Sequence, residues 1–257
     1  MKNNLNIPQD KADTIFETVL FPLISRGVEK EEIKSAYVVG GQPGSGKSAF
    51  AQSLMSKNKQ LVFINGDDLR VYHPEYVTFL KENDREAADK TQAVCNYWIE
   101  RAINTCIENN LSFLVEGTMR TVQAPLSTSL KAKENGYEVK VCVIAAPYEL
   151  SLASINYRYS EAKRLEGYAR YTKKESHDEA FNNIPMTVDE LMLKDVFSKL
   201  FIYKRLDGKF ESHEIEKENK EKILSLLQEG RERVLTEKEI FFIRENSNPD
   251  GHPFPIV

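Results

Sequence analysis

The stretch GQPGSGKS, Gly41 to Ser48, limits what this chain can fold into more than any other part of it. It fits the pattern G-x-x-x-x-G-K-[S/T], with the apolar run SAYVVGG ahead of it and helix-like sequence behind it. Gly41, Gly44 and Gly46 let the backbone curl so that successive N–H groups point inward at phosphate oxygens. The helix that follows adds unpaired N–H groups and the positive end of its dipole. Lys47 is placed to reach β- and γ-phosphates, and the Ser48 hydroxyl to hold Mg²⁺. The nucleotide-binding candidates are therefore Gly41, Gln42, Pro43, Gly44, Ser45, Gly46, Lys47, Ser48 and Ala49. Ser48 is the metal ligand among them, and the implied cofactors are ATP, or another nucleoside triphosphate, and Mg²⁺.

Around this loop, apolar runs alternate with helical patterns. Strands are expected at 35–41, 60–65, 111–117, 137–146 and 200–205, with helices at 48–56, 83–109 and 125–134 and another opening at Pro147. That alternation implies crossover connections. The expected fold class is α/β: a P-loop NTPase-type kinase with a mostly parallel sheet of about five strands, covered by helices on both faces. One domain is expected over 1–245. It comprises an N-terminal helix at 8–26 with an apolar stripe of Ile15, Phe16, Val19, Leu20 and Leu23, a core over 35–205, and a charged helical segment over 211–245. Pro22 should bend or shorten the first helix and Gly27 should cap it. Residues 246–257, rich in Pro, Asn and Gly, read as a loosely held tail.

In open α/β sheets, ligands bind beyond the carboxyl ends of the strands. Asp67 and Asp68 follow the second strand directly, so they should face the γ-phosphate across the cleft. Adjacent residues point in different directions. One carboxylate can take the proton of an acceptor hydroxyl while the other caps the helix LRVYHPEY; Asp68 suits the cap and Asp67 the base. The alternative is that both hold Mg²⁺ through water, as in an ATPase. After the third strand, Glu116, Thr118 and Arg120 put a carboxylate, a hydroxyl and a guanidinium within five residues, which suits a polar, hydroxyl-rich ligand. After the fourth, Arg158, Arg164, Arg170, Lys173 and Lys174 are candidates to neutralise a moving phosphoryl group, or else form a solvated basic face. His177 beside Asp178 reads as structural or helix-capping.

The chain carries 35 Lys and Arg against 39 Asp and Glu, for a net charge of -4, which argues against a broad nucleic-acid surface. Its three cysteines have no C-x-x-C spacing and read as small buried or half-buried thiols. The first residues have no apolar signal core, and no stretch approaches the ~18 apolar residues of a membrane span. A cytoplasmic location, with no membrane and no nucleic-acid partner, is the expectation.

The pieces GGQPGSGKS, GDDLRVYHP, EGTMRT, GYEVKV, NYRY and ARYTKKESHD occur in order over roughly residues 35 to 205. In that combination the chain resembles the zeta toxins of bacterial epsilon–zeta toxin–antitoxin systems. The resemblance implies a kinase that phosphorylates a hydroxyl of the amino sugar of UDP-N-acetylglucosamine or a related UDP-sugar, draining a cell-wall precursor. It assigns Lys47 and Ser48 to the phosphates and Mg²⁺, Asp67 to the base, and Glu116, Thr118 and Arg120 to the sugar nucleotide. Arg158 and Arg170 go to the triphosphate and the moving group. This chain has Asn65-Gly66-Asp67 where the family has an acid at the first position, plus an extra acid at Asp68, which leaves Asp68 as the other candidate base. The partner implied is a small helical epsilon-like antitoxin blocking the nucleotide site. The sequence ahead of the first strand is too short for a fused one, so a separate chain is expected. Two other functions stay open: a kinase of another hydroxyl compound such as an antibiotic or nucleoside, and a nucleotide-dependent binding module.

Overall fold

A computed structural model describes residues 5–215 and 220–246. The apolar runs form a six-stranded sheet in the order β2-β3-β1-β4-β5-β6. β1 (Ser35–Gly40) lies at its centre, parallel to β3 on one side and β4 on the other. The helices follow the alternation that the sequence sets up, and α3 (Lys47–Lys57) starts inside the phosphate loop. Then come β2 (Val62–Asn65), α4 (Gly66–Arg70), α5 (Tyr76–Glu108), β3 (Phe113–Gly117), α6 (Gln123–Glu134), β4 (Glu138–Ala145), α7 (Tyr148–Glu166), α8 (Lys174–Leu193) and β5 (Lys199–Leu206). β3, β1 and β4 are buried almost throughout, as strands covered on both faces must be.

Four details differ from the expectations. The N-terminal helix splits into α1 (Gln9–Ile15), a π-helical turn (Phe16–Leu20) and α2 (Phe21–Ile24). Pro22 lacks the N–H that a regular i−4 bond there would need, and the widened turn sits just ahead of it. The widening also shifts the stripe: Ala12, Phe16 and Leu20 are buried, while Val19 and Leu23 are exposed. α5 begins earlier than expected and contains a non-helical residue, Asn83, whose Oδ1 accepts from the Arg85 N–H and caps the helix anew. The helix after β2 is capped by Asn65, whose Oδ1 accepts from the Asp67 N–H (2.9 Å), not by Asp68.

The largest correction lies past residue 206. The segment expected to be helical over 211–245 begins as a sixth strand, β6 (Lys209–Ile215), antiparallel to β5. Helices follow only from α9 (Lys220–Glu232) and α10 (Glu237–Asn246). Apart from Asn246, the expected tail over 246–257 lies outside the described residues.

The main core runs from the sheet's α5 side to the N-terminal helices. Trp98 of α5 is fully buried there, and its indole N–H donates to the Ala12 carbonyl (3.0 Å). Trp98→Ala should therefore lower the free energy of unfolding by about 3–5 kcal/mol, read from urea denaturation. Trp98→Phe, which keeps most of the volume, should cost clearly less.

Candidate functional site: a phosphate loop facing a two-carboxylate cleft

β1 ends at Gly40 in the middle of the sheet, so the loop that follows opens at the carboxyl edge where β1 and β4 diverge. Gly44 has φ +77° and packs so closely on α7 that an added Cβ would stand 2.0 Å from the Ser151 carbonyl oxygen. No other residue fits there. The buried Gln42 side chain donates to the Ala146 carbonyl (2.9 Å) and reaches Ser151 Oγ (3.4 Å), tying the loop to the start of α7.

Lys47 opens α3 and folds back over the loop, its Nζ donating to the Gly41 (2.8 Å) and Gln42 (3.1 Å) carbonyls. Burial strips water from the ammonium and lowers its pKa to about 8. The Glu116 and Asp67 carboxylates pull it back up, and Arg158 and Arg170 push it further down. Ser48 Oγ donates to Glu116 Oε1 (3.2 Å), and the other oxygen of that carboxylate accepts from Asn65 Nδ2 (3.3 Å). Burial raises the Glu116 pKa, and Lys47 works against it. The end of β3 is thereby brought against both the loop and the end of β2.

Asp67 lies in the first turn of α4, and its Oδ1 accepts from Arg170 Nη1 (2.8 Å). In the segment 167–173 that delivers Arg170, Ala169 and Tyr171 are buried beside Tyr159, and Arg170 between them keeps a quarter of its side chain exposed at the cleft. Arg158, on α7, donates from Nη2 to Thr172 Oγ1 (2.9 Å) in that same segment. Arg158 keeps much of its surface exposed, so its guanidinium loses water only in part; that loss, with the like charge of Arg170, pulls its pKa down to about 10. Arg164, by contrast, pairs with Glu161 on the outer face of α7, and Lys173 pairs with Asp89. Of the basic residues after β4, only Arg158 and Arg170 stand electrostatically close to Lys47 and Asp67.

Beside these groups opens a cleft of about 720 Å³, within the range of small-ligand sites; of the sequence candidates Ser48 and Arg158 do not line it. Lys47, Asn65, Asp67, Glu116, Thr118, Arg120 and Arg170 all line it, and Asp68 does not. Arg120 is held at the rim by Ser176 (3.0 Å) and Glu179 (3.5 Å) of α8. Arg85, Asp89, Gln92 and Asn96, spaced by four, three and four along α5, form a polar wall that the motif reading missed. The signal was there as a second, polar stripe on a helix whose apolar stripe was plain. Asn65 was missed as well, because its importance lies in bridging two strands.

The Ser48 hydroxyl beside a carboxylate is a hard-oxygen donor set that fits Mg²⁺ carried in with phosphates. Among the described residues no cluster of three or more His, Cys, Asp or Glu could hold a metal ion by itself, and no helix is long and apolar enough to cross a membrane. The three cysteines are free and buried, as expected. His177 is fully buried between Ser151 Oγ (2.8 Å) and Asp178 Oδ1 (3.0 Å), a structural position.

Comparison with known proteins shows the family and the fold. A family model described as Zeta toxin matches residues 24–220. Toxin PezT of Streptococcus pneumoniae serotype 4 is 31% identical over 203 residues, covering 77% of this chain and 80% of that protein. A structure from the PezAT chromosomal toxin–antitoxin system of Streptococcus pneumoniae superposes with a TM-score of 0.80 at 24% identity, over 95% of this chain and 97% of the other. A structure of AvrRxo1-ORF1:-ORF2 with ATP shares the fold more distantly, with a TM-score of 0.55 at 14% identity, over 89% of this chain and 73% of the other.

The Lys47 environment sets a pH dependence. A triphosphate placed against Lys47 raises its pKa above the free value of about 8. Binding then takes up a proton at any pH between the free and bound values. Nucleotide affinity should be full below about pH 8 and fall as pH rises beyond it. Calorimetry at pH 9 in two buffers of different ionisation enthalpy should show this uptake, and Lys47→Met should abolish it. Buffer-independent heats for the unmodified protein would contradict the assignment.

Proposed function

The chain belongs to the zeta toxin family, and from that premise we propose that it is a toxin kinase. It transfers the γ-phosphoryl group of ATP, or another nucleoside triphosphate, to a hydroxyl of the amino sugar of UDP-N-acetylglucosamine or a related UDP-sugar. The observation that carries this reading is the placing of Asp67. Its carboxylate lines a cleft of ligand size together with Lys47 of the phosphate loop, with space for an alcohol. A nucleotide hydrolase needs no such second compartment.

In the reaction, the acceptor hydroxyl gives its proton to Asp67 and its oxygen bonds to the γ-phosphorus. The bond from that phosphorus to the β-phosphate oxygen breaks, leaving a nucleoside diphosphate. The transition state is loose, so alignment counts for more than basicity. Lys47, Arg158 and Arg170 converge where charge spreads over the moving group. Mg²⁺, held through Ser48, would supply further neutralisation of the phosphates. Glu116, Thr118 and Arg120 line the acceptor side, with polar groups suited to a hydroxyl-rich sugar nucleotide. That Asp68 lies outside the cleft lining favours Asp67 as the base.

In a cell this reaction would deplete a cell-wall precursor in the cytoplasm. By analogy with PezAT, which is named as a toxin–antitoxin system, a separate small helical antitoxin covering the nucleotide site is the proposed partner. The kinase domain is proposed to extend over 1–245.

Incubation with ATP, Mg²⁺ and UDP-N-acetylglucosamine should yield a sugar nucleotide heavier by one phosphate, detected by mass spectrometry. Asp67→Asn should lower kcat by about 10²–10⁴-fold while nucleotide affinity stays within a few-fold. An unmodified sugar nucleotide with folded, ATP-binding protein would reject the substrate. Phosphorylation of a different alcohol in the same assay would move it to another hydroxyl compound.

A further inference from the structure

Asp67 has a second arginine neighbour that neither its motif nor its family assignment accounts for. Arg70 lies one turn along α4 and is buried, with 4% of its surface exposed. Its two terminal nitrogens are committed to α5. Nη1 donates to the Ala88 carbonyl (2.6 Å) and to Thr91 Oγ1 (2.6 Å), and Nη2 donates to Gln92 Oε1 (3.0 Å). The remaining nitrogen, Nε, is buried without an acceptor. Asp67 Oδ1 stands 3.9 Å from it, too far for a hydrogen bond by less than an ångström.

The two arginines at Asp67 differ in freedom. Arg70 is clamped at three points. Arg170, which now holds the carboxylate at 2.8 Å, belongs to an irregular segment and keeps a quarter of its side chain exposed. A terminal phosphoryl group beside Lys47 competes for Arg170 and offers it more charge than a carboxylate does. When Arg170 leaves, Asp67 would carry an undirected carboxylate, and misplacement by an ångström costs a transfer reaction dearly.

We propose that Arg70 is a positioning residue for Asp67: as Arg170 turns to the phosphoryl group, the Asp67 carboxylate closes onto Arg70 Nε, which fixes one oxygen and leaves the other facing the acceptor hydroxyl. This rests on the reading of Asp67 as the base. Nε–H has no acceptor of its own, and a carboxylate that gives it one oxygen keeps the other for the proton of the acceptor hydroxyl. Lysine at this position could not make the fixed fork to α5 and present a further N–H at once.

Two measurements test it. A structure of the whole protein with Mg²⁺ and a non-hydrolysable ATP analogue should show Arg170 on the terminal phosphoryl group and Asp67 within about 3.2 Å of Arg70 Nε. Asp67 still paired with Arg170, or turned from Nε, would overturn the proposal. No acceptor and no variant is needed for this arm.

In kinetics, Arg70→Met should lower kcat about ten- to a hundredfold with the nucleotide KM within about twofold. Thr91→Val, which only loosens the clamp, should give a smaller fall of the same kind. A strut between α4 and α5 would also matter to folding, so the deciding comparison is the double variant. Arg70→Met in an Asp67→Asn background should cost nothing further, whereas a merely structural role gives losses that multiply. The failures separate. Unmodified protein that phosphorylates no alcohol rejects the kinase reading. An active protein whose Arg70→Met variant keeps full kcat, or whose double variant loses multiplicatively, rejects Arg70 alone.

Discussion

Cationic groups from four parts of the chain converge on one cleft, and two carboxylates between them make the convergence tolerable. Lys47, Arg158, Arg170 and Arg70 stand around Asp67 and Glu116. Like charges at such spacing repel strongly once water is partly removed. Loss of water lowers the pKa values of Lys47 and Arg158 most, and the neighbouring arginines lower them further. Asp67 holds Arg170 and lies near Arg70, while Glu116 offsets Lys47. A triphosphate would relieve all the cations together. Asp67 holds Arg170, while Glu116 takes Ser48 and Asn65.

The scaffold keeps these charges in register through buried polar links. From the phosphate loop, Gln42 reaches Ser151 of α7, Ser151 meets His177, and His177 meets Asp178, which also binds Tyr148 and Lys174. Serine, histidine and aspartate in that sequence of contacts suggest a hydrolytic centre. Ser151 and His177 are, however, fully buried, and the Ser151 hydroxyl donates to the Tyr148 carbonyl. The chain of bonds is a strut between the loop and the first turns of α8. Arg170 lies in the segment between α7 and α8, the two helices that the strut joins.

Legibility followed the range of the physics. The strands, the crossover pattern and the phosphate loop rest on local periodicity and spacing, and they appear nearly where the sequence places them. β6 was hidden by its composition: an edge strand can carry Lys, Glu and Ser, and only Phe210 and Ile215 hint at a buried side. The cue was the preceding Asp207-Gly208 pair, both at positive φ, which is hairpin chemistry. The cap after β2 went to Asn65 rather than Asp68 because a cap residue precedes the first turn, and the helix starts three residues earlier than its apolar pattern suggests. The exposure of Val19 and Leu23 depends on one π-turn, a shift of phase that no periodicity count anticipates.

From sequence alone came the fold class, the loop that cradles phosphate, and the short list of side chains able to surround it. These depend on neighbours within a few residues, where backbone geometry is nearly deterministic. Which of two adjacent aspartates lines the cleft, which of five basic residues meets it, and that a buried Arg70 leaves its Nε–H without an acceptor were decided only by tertiary packing. Each of those outcomes turns on where a side chain stands relative to residues tens of positions away, and desolvation and pairing at that distance exist only once the sheet and its helices have closed around the site.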